Sequence, residues 1–265
     1  MAAMTALPDR ARPDGPFRCS VASTGDAEPL AGTAPTDTEM LFVEHPGPWG
    51  RKAVEESRLA VTVREHLASL RGVRVQLVRR FGARGERGLR VFHARSRATD
   101  WEVRTTVLAD AADLVGLDLA ALDPYAGPLW MVCTNGRRDR CCAEVGRPVA
   151  AALAARWPEA TWETSHLGGH RFAGTLLALP SGHTLGRLDP PSAVDACARL
   201  EAGDVPLGLS RGRAGLSPAD QVLDLHRLAG GSDDVDVVEV PGARRASCAD
   251  LVEKPTSRWE LRPRG

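Results

Sequence analysis

The chain has 265 residues, of which 43% are hydrophobic, and this is enough to bury a substantial core in one or two domains. Lys and Arg together number 34, as do Asp and Glu, so no net charge favours nucleic acid or an anionic membrane as a partner. No apolar run approaches the ~18 residues of a membrane span, and the N-terminus lacks the apolar stretch of a signal peptide. The sequence therefore predicts a cytoplasmic protein that binds neither nucleic acid nor membrane.

The first 36 residues are predicted to form a flexible N-terminal tail, because Ala, Pro, Asp, Gly and Thr are frequent there and no apolar period is present. Order is expected from about Met40. Residues 37–124 are predicted to form an N-terminal α/β unit. Apolar runs and helical spacing predict its elements, which are strands at 40–44, 73–78, 89–94 and 101–107, a loop at 45–50 and a helix at 53–70.

Residues 125–228 are predicted to form a second α/β unit, with the boundary near residues 120–127. Its predicted elements are strands at 128–133, 160–164 and 176–179 and helices at 145–157, 192–202 and 218–228, the last capped by Ser217 with Pro218 at its first position. Strand-helix-strand-strand-helix is the order of a small thioredoxin-like sandwich. Residues 229–265 are expected to be a C-terminal extension with edge strands at 235–240 and 258–261.

Six cysteines in a chain predicted to be cytosolic indicate metal binding, catalysis or burial rather than a disulfide framework. Cys133 directly follows an apolar strand, and Cys142 comes nine residues later at the end of a loop, giving a C-x8-C spacing. The end of a strand followed by a helix N-terminus is a place where thiolates are stabilised. Cys19, Cys197 and Cys248 have no partner at a metal-like spacing and are expected to be buried or structural.

His166 and His170 are separated by three residues that include Gly168 and Gly169. Each glycine weakens a helix by about 1 kcal/mol, so the H-x3-H segment is predicted to be a tight loop rather than a helix. Glycines with φ > 0 would let both imidazoles turn toward one site. Two thiolates and two imidazoles suit either a structural zinc ion or a [2Fe-2S] cluster. The spacing is not that of a zinc finger, which weakens the zinc interpretation but leaves it open.

Three stretches resemble the sucrase/ferredoxin-like family: GTAPTDTEMLFVEHPGPWGRKA, the segment with the C-x8-C pair and SHLGGHRFAG, and RGRAGLSPADQ. The resemblance covers about residues 17–228 and implies a thioredoxin-like ferredoxin domain. It also implies that a [2Fe-2S] cluster is held by Cys133, Cys142, His166 and His170. The family register favours Cys142 over the adjoining Cys141, which would be a substitute ligand, a residue near the cluster or simply packed.

Other polar residues near the predicted ligands receive lesser roles. Arg138, Asp139 and Arg171 flank the ligands, where they can hydrogen-bond or tune the charge of the site, but solvated loop charges are the simpler interpretation. His183 follows Pro-Ser-Gly in a predicted turn and is expected at the surface.

The predicted function is that of an electron carrier or redox sensor with an unknown redox partner protein. Histidine ligation would raise the potential and would couple reduction to uptake of a proton. Sucrase activity is not expected, because no acidic pair stands out for glycoside hydrolysis, and C-x-x-C, Walker and dinucleotide motifs are absent. The alternatives are a structural zinc-binding protein and a metal-free interaction module.

Overall fold

The computed structural model describes residues 16–82 and 88–264, which form a mixed α/β fold. The strands in this part of the chain are β1 Glu39–Glu44, β2 Arg74–Arg80, β3 Leu89–Ser96, β4 Trp101–Leu108, β5 Asp123–Pro124, β6 Leu129–Cys133, β7 Thr161–Thr164, β8 Leu176–Leu179, β9 His183–Leu185, β10 Ser210–Arg213, β11 Val235–Arg244 and β12 Lys254–Pro263. The α-helices are α1 Cys19–Gly25, α2 Val61–Ser69, α3 Arg140–Arg156, α4 Pro190–Glu201 and α5 Pro218–Leu228. The predicted α/β class is confirmed. Within the described ranges, no helix is long and apolar enough to cross a membrane.

Ten of the strands form one sheet with the order β10-β9-β8-β6-β7-β2-β1-β3-β4-β5. Strand β1 is parallel to β2 and β6 is parallel to β7, whereas the other neighbours are antiparallel. The two halves repeat one pattern, since β2-β1-β3-β4 and β7-β6-β8-β9 have the same order and the same strand directions. They join where β2 pairs with β7, with Val78 opposite Thr164. The division into two units near residues 120–127 stays a prediction.

Residues 16–36, assigned by composition to the flexible tail, are ordered in the structure, while residues 1–15 lie outside the described part of the chain. Helix α1 buries Cys19 and Ser23 completely. Further along, the N–H of Thr33 donates to the carbonyl of Arg211 at 3.1 Å. This segment packs through small and polar side chains, which leave no apolar period in the sequence.

Helices α2 and α3 and strands β11 and β12 also differ from the prediction. Helix α2 begins at Val61 rather than at 53, since the carboxylate of Glu56 accepts the backbone N–H groups of Arg51 and Lys52 and holds that stretch in turns. Helix α3 begins at Arg140 because Asp139 caps it. Strands β11 and β12 pair with each other instead of extending the main sheet.

Helix α3 packs unusually close to the end of β6. A Cβ added at Gly146, inside the helix, would lie 2.1 Å from the carbonyl oxygen of Cys133. Only glycine allows the helix to approach the strand this closely. The contact positions the first turn of α3 over the C-terminal end of β6, where the candidate ligands lie.

Candidate metal centre

The first two candidate ligands lie at opposite ends of the loop that joins β6 to α3. Cys133 is the last residue of β6, and Cys142 is in the first turn of α3. The backbone N–H of Cys133 donates to the carbonyl of Thr175 at 3.0 Å, which holds the strand end in place. Both cysteine side chains are 1% exposed and belong to a core cluster that includes Met131 and Leu167.

The histidine loop is anchored on β2, a strand of the first half of the chain. The hydroxyl of Ser165 donates to Gln76 Oε1 at 2.5 Å and accepts the N–H of Leu77 at 3.0 Å. The carbonyl of His166 accepts hydrogen bonds from Arg74 Nη2 at 2.9 Å and Gln76 Nε2 at 3.2 Å. The first half of the chain therefore fixes the backbone of the first histidine.

Two glycines with positive φ reverse the chain between the histidines. The φ angles are 88° at Gly168 and 69° at Gly169, and His170 then begins a short 3-10 turn. The predicted tight loop with φ > 0 is confirmed. As a result the two imidazoles face each other, and His166 Nε2 lies 3.2 Å from His170 Nδ1.

The structure brings three of the four predicted ligands together. The Nδ1 atom of His166 lies 3.8 Å from the Sγ atoms of both Cys133 and Cys142, and these three donor atoms all lie within 4.8 Å of one another. His170 lies behind His166, with its ring centroid 5.1 Å away. The group of two thiols and one imidazole can hold a metal ion, and a second imidazole adjoins it.

The hydrogen bond between the two thiols shifts their pKa values in opposite directions. A hydrogen bond from Cys142 holds the pKa of Cys133 well below its usual range, and His166 adds to this effect. The same interaction raises the pKa of Cys142. Burial, together with the neighbouring His166, lowers the pKa of His170 and so favours its neutral ring. A thiolate and a neutral imidazole are the forms that bind metals.

Arg211 is a buried cation at this site that the sequence analysis did not single out. Its guanidinium donates to the carbonyl of Gly168 at 3.2 Å, to the hydroxyl of Thr33 at 3.1 Å and to the carbonyl of Thr33. Burial lowers its pKa to about 10, although the nearby Cys133 acts in the opposite direction. The sequence could have indicated a role for Arg211, because it is the first residue of RGRAGLSPADQ, one of the stretches that resemble the family.

The flanking charges are less solvated than the sequence suggested. Asp139 is 4% and Arg171 6% exposed, so the interpretation as solvated loop charges is wrong for these two, whereas Arg138 is partly exposed. Arg171 donates to the buried carboxylate of Glu28 at 2.7 Å. His183 is not at the surface: it is buried on β9, and burial lowers its pKa to about 4.

Cys141 points away from the group that contains Cys142. Its Sγ lies 3.2 Å from Sγ of Cys248 and 3.8 Å from Sγ of Cys19. Cys19 is buried as expected, and Cys248 is partly buried. Their proximity to Cys141 could not be found from sequence spacing, because the fold brings together cysteines that are far apart in the sequence. Cys197, a residue of α4, is buried in the core, as expected.

Comparison with models of protein families shows to which family this chain belongs. Residues 30–206 match the family described as sucrase/ferredoxin-like. The chain belongs to the sucrase/ferredoxin-like family. The comparisons with curated proteins and with solved structures give no match. The part that matches the sucrase/ferredoxin-like family contains the four predicted ligands, whereas Cys19 and Cys248 lie outside it.

Proposed function

We propose that this protein binds one [2Fe-2S] cluster through Cys133, Cys142, His166 and His170 and acts as an electron carrier or redox sensor. The observation that carries the proposal is the convergence of two buried thiols and one imidazole within 4.8 Å, with a second imidazole against the first. Two thiolates and two imidazoles are a donor set used by [2Fe-2S] centres of raised potential. When bound, such a cluster supplies one-electron chemistry.

The surroundings of the four side chains suit this group. The thiols are buried among apolar residues, which exclude water from the sulfur atoms. Neutral imidazoles add no negative charge, and the buried guanidinium of Arg211 offsets part of the charge of the thiolates. The residues of the chain thus bind the cluster, limit its net charge and exclude solvent.

The histidine pair can also hold a proton. One of the facing nitrogens, His166 Nε2 and His170 Nδ1, donates a hydrogen bond to the other across 3.2 Å. We propose that this pair takes up a proton when the protein is reduced. The midpoint potential should then fall as the pH rises from about 6 to 9, the range in which an imidazole proton couples. A potential that is constant over this range would exclude the proton coupling.

An open groove beside His166 offers a route for electron exchange. Arg51, Lys52 and Arg138 line it, together with Asn135 and with Glu55, which pairs with Lys52 at 2.9 Å. The basic side chains outnumber the one carboxylate and favour the approach of an acidic surface, so we expect the redox partner protein to present acidic residues there. Raising the ionic strength should slow reduction of the protein by such a partner.

The proposal is tested most directly by a matched pair of variants. Purified protein should be brown-red and contain iron and acid-labile sulfide in equal amounts. Cys142→Ser should abolish the colour, whereas Cys141→Ser should leave the cluster spectrum in place. Loss of colour only in the Cys141 variant would reverse the ligand assignment. Replacing His166 or His170 by cysteine should retain a cluster with a changed spectrum.

A structural zinc site at the same residues is the second candidate. It is favoured by the short distances between the donor atoms of Cys133, Cys142 and His166, which lie within 4.8 Å of one another and can surround a single ion. A colourless protein with stoichiometric zinc that is lost on changing Cys133 would support it and contradict the cluster.

A further inference from the structure

We propose that Cys19, Asp139, Cys141 and Cys248 form a second metal site, separate from the first, which holds one zinc ion. These four side chains offer three sulfur atoms and one carboxylate oxygen, and all four atoms lie within 4.8 Å of one another. The inference does not depend on the proposed cluster, because no donor atom is shared between the two groups.

Three of the distances between the donor atoms are those of a tetrahedral zinc site. With Zn–S bonds of about 2.3 Å, tetrahedral geometry places the sulfur atoms about 3.8 Å apart and a carboxylate oxygen about 3.6 Å from each sulfur. The Sγ of Cys19 lies 3.8 Å from that of Cys141 and 3.6 Å from that of Cys248. Cys19 Sγ lies 3.6 Å from Asp139 Oδ1. The pair of Cys141 and Cys248, at 3.2 Å, is closer but far from the roughly 2.05 Å of a disulfide.

The burial of these groups also indicates a cation. Cys19 and Cys141 are at most 1% exposed and Asp139 is 4% exposed. In the described part of the chain, no lysine or arginine side chain forms an ion pair with Asp139. A buried carboxylate among three thiols is stabilised by hydrogen bonds and by a nearby positive charge. A zinc ion would balance it as the thiols release their protons.

The carboxylate is oriented as a ligand should be. Asp139 Oδ1 accepts the N–H of Cys141 at 3.0 Å, and Oδ2 accepts the N–H of Cys248 at 2.8 Å. Hydrogen bonds of this kind hold a metal-binding side chain in one orientation. The two amides that fix Asp139 belong to two of the other proposed ligands, so the group is organised as a unit.

The site would fasten three distant segments of the chain to one another. Cys19 lies in α1, Asp139 and Cys141 lie at the start of α3, and Cys248 lies between β11 and β12. Four protein ligands leave no open position, which is typical of a structural rather than a catalytic zinc site. Cys141 adjoins Cys142, so the zinc ion would also fix the first turn of α3 beside the first site.

Elemental analysis of the full-length protein and its variants tests the proposal. We expect stoichiometric zinc in the wild-type chain and its loss in Cys19→Ser and in Cys248→Ser, with the iron content unchanged. Cys197→Ser is the matched control, since this cysteine is buried in the core away from both sites, and it should keep its zinc. Cys133→Ser should lose iron and keep zinc, so failure of the first site and failure of the second can be distinguished. Zinc retained in Cys19→Ser or Cys248→Ser would overturn the proposal.

A measurement on the wild-type chain covers the case in which these variants fail to fold. Cys248 should be protected from alkylation in the zinc-loaded protein and should become alkylated after a chelator is added, as read by peptide mass spectrometry. Replacement of zinc by Co²⁺ should give sulfur-to-cobalt charge-transfer bands in Cys133→Ser. Equal alkylation with and without the chelator, or a disulfide between Cys141 and Cys248 in a zinc-free protein, would contradict the site.

Discussion

The backbone conformation of Gly169 and the close approach of Arg211 both require glycine at this position. Its φ of 69° is in the left-handed region, and an added Cβ would lie 2.2 Å from Arg211 Nη2. The sequence could predict the loop, because consecutive glycines between two histidines oppose a helix. It could not predict that Arg211 lies beside Gly169 or that Cys248 lies beside Cys141, because contacts between residues far apart in the chain are set by the tertiary fold.

A pair of alanine substitutions separates backbone strain from the contact with Arg211. Gly168→Ala should reduce the free energy of unfolding by about 1–2 kcal/mol, the cost of a left-handed residue, since nothing lies within 4 Å of the added Cβ. Gly169→Ala should cost about 2 kcal/mol more, because Arg211 would have to leave its buried acceptors. Denaturant titration and metal content measure both variants. Equal losses would show that Arg211 moves freely.

The lowered pKa of His183 leads us to expect that the free energy of unfolding depends on pH. Its pKa is about 4 in the folded chain and about 6.5 in the unfolded chain, so unfolding takes up a proton between these values. The contribution to stability is present above about pH 6.5 and is lost as the pH falls, by up to about 3 kcal/mol near pH 4. His183→Gln should flatten this part of the curve of unfolding free energy against pH. An unchanged curve in His183→Gln would contradict the buried, neutral imidazole.

At the scale of elements, apolar runs and helical spacing located most strands and helices, but not the features that position the site. Asp139 starts α3 five residues before the predicted beginning, and this brings Cys142 into the first turn of the helix. The short strands β9 and β10 were missed because their sequences, HTL and SRGR, contain a single apolar residue between them and so show no apolar run or alternation. Gly146, which sets the distance between α3 and β6, looks in the sequence like an ordinary weak helix residue.

Gly146→Ala tests this packing. Alanine normally stabilises a helix interior by about 1 kcal/mol relative to glycine, but here its Cβ would meet the carbonyl of Cys133 at 2.1 Å. The helix must then shift away from β6, and we expect a lower free energy of unfolding and weaker metal retention. Gly25→Ala is the matched control, because Gly25 ends α1 with nothing within 4 Å of the added Cβ. An increase in stability at position 146 would contradict the close approach.

At the scale of the whole molecule, a buried ion network connects segments that the main sheet does not. Glu28 accepts from Arg171 at 2.7 Å in the histidine region and pairs with Arg244 at 2.5 Å on β11. The carboxylate side chain is 5% exposed and the guanidinium of Arg171 7% exposed. The network holds the segment after α1 against both the site and the C-terminal hairpin.

Glu28→Gln should destabilise the protein strongly. Removal of the shared carboxylate leaves the buried guanidinium of Arg171 with the more distant, exposed Asp26, at 3.6 Å, as its remaining anionic partner in the described part of the chain, and breaking a buried pair costs about 3–5 kcal/mol. Thermal and denaturant unfolding measure the loss. Asp233→Asn removes the solvent-exposed partner of Arg227 and should change the unfolding midpoint little. Similar midpoints for the two variants would show that the Glu28 network is effectively solvated.

The pairing of β2 with β7 has a consequence for any attempt to divide the chain. Three pairs of residues, from Val78 with Thr164 to Arg80 with Trp162, carry the hydrogen bonds of this contact. A fragment that begins near residue 125 would leave the backbone N–H and C=O groups of β7 unpaired on an exposed strand, which is a template for self-association. The same cut would remove Gln76 and Arg74 from the histidine loop. The isolated second half would therefore be prone to self-association, and it would lack the hydrogen bonds that hold the backbone of His166 in the intact chain.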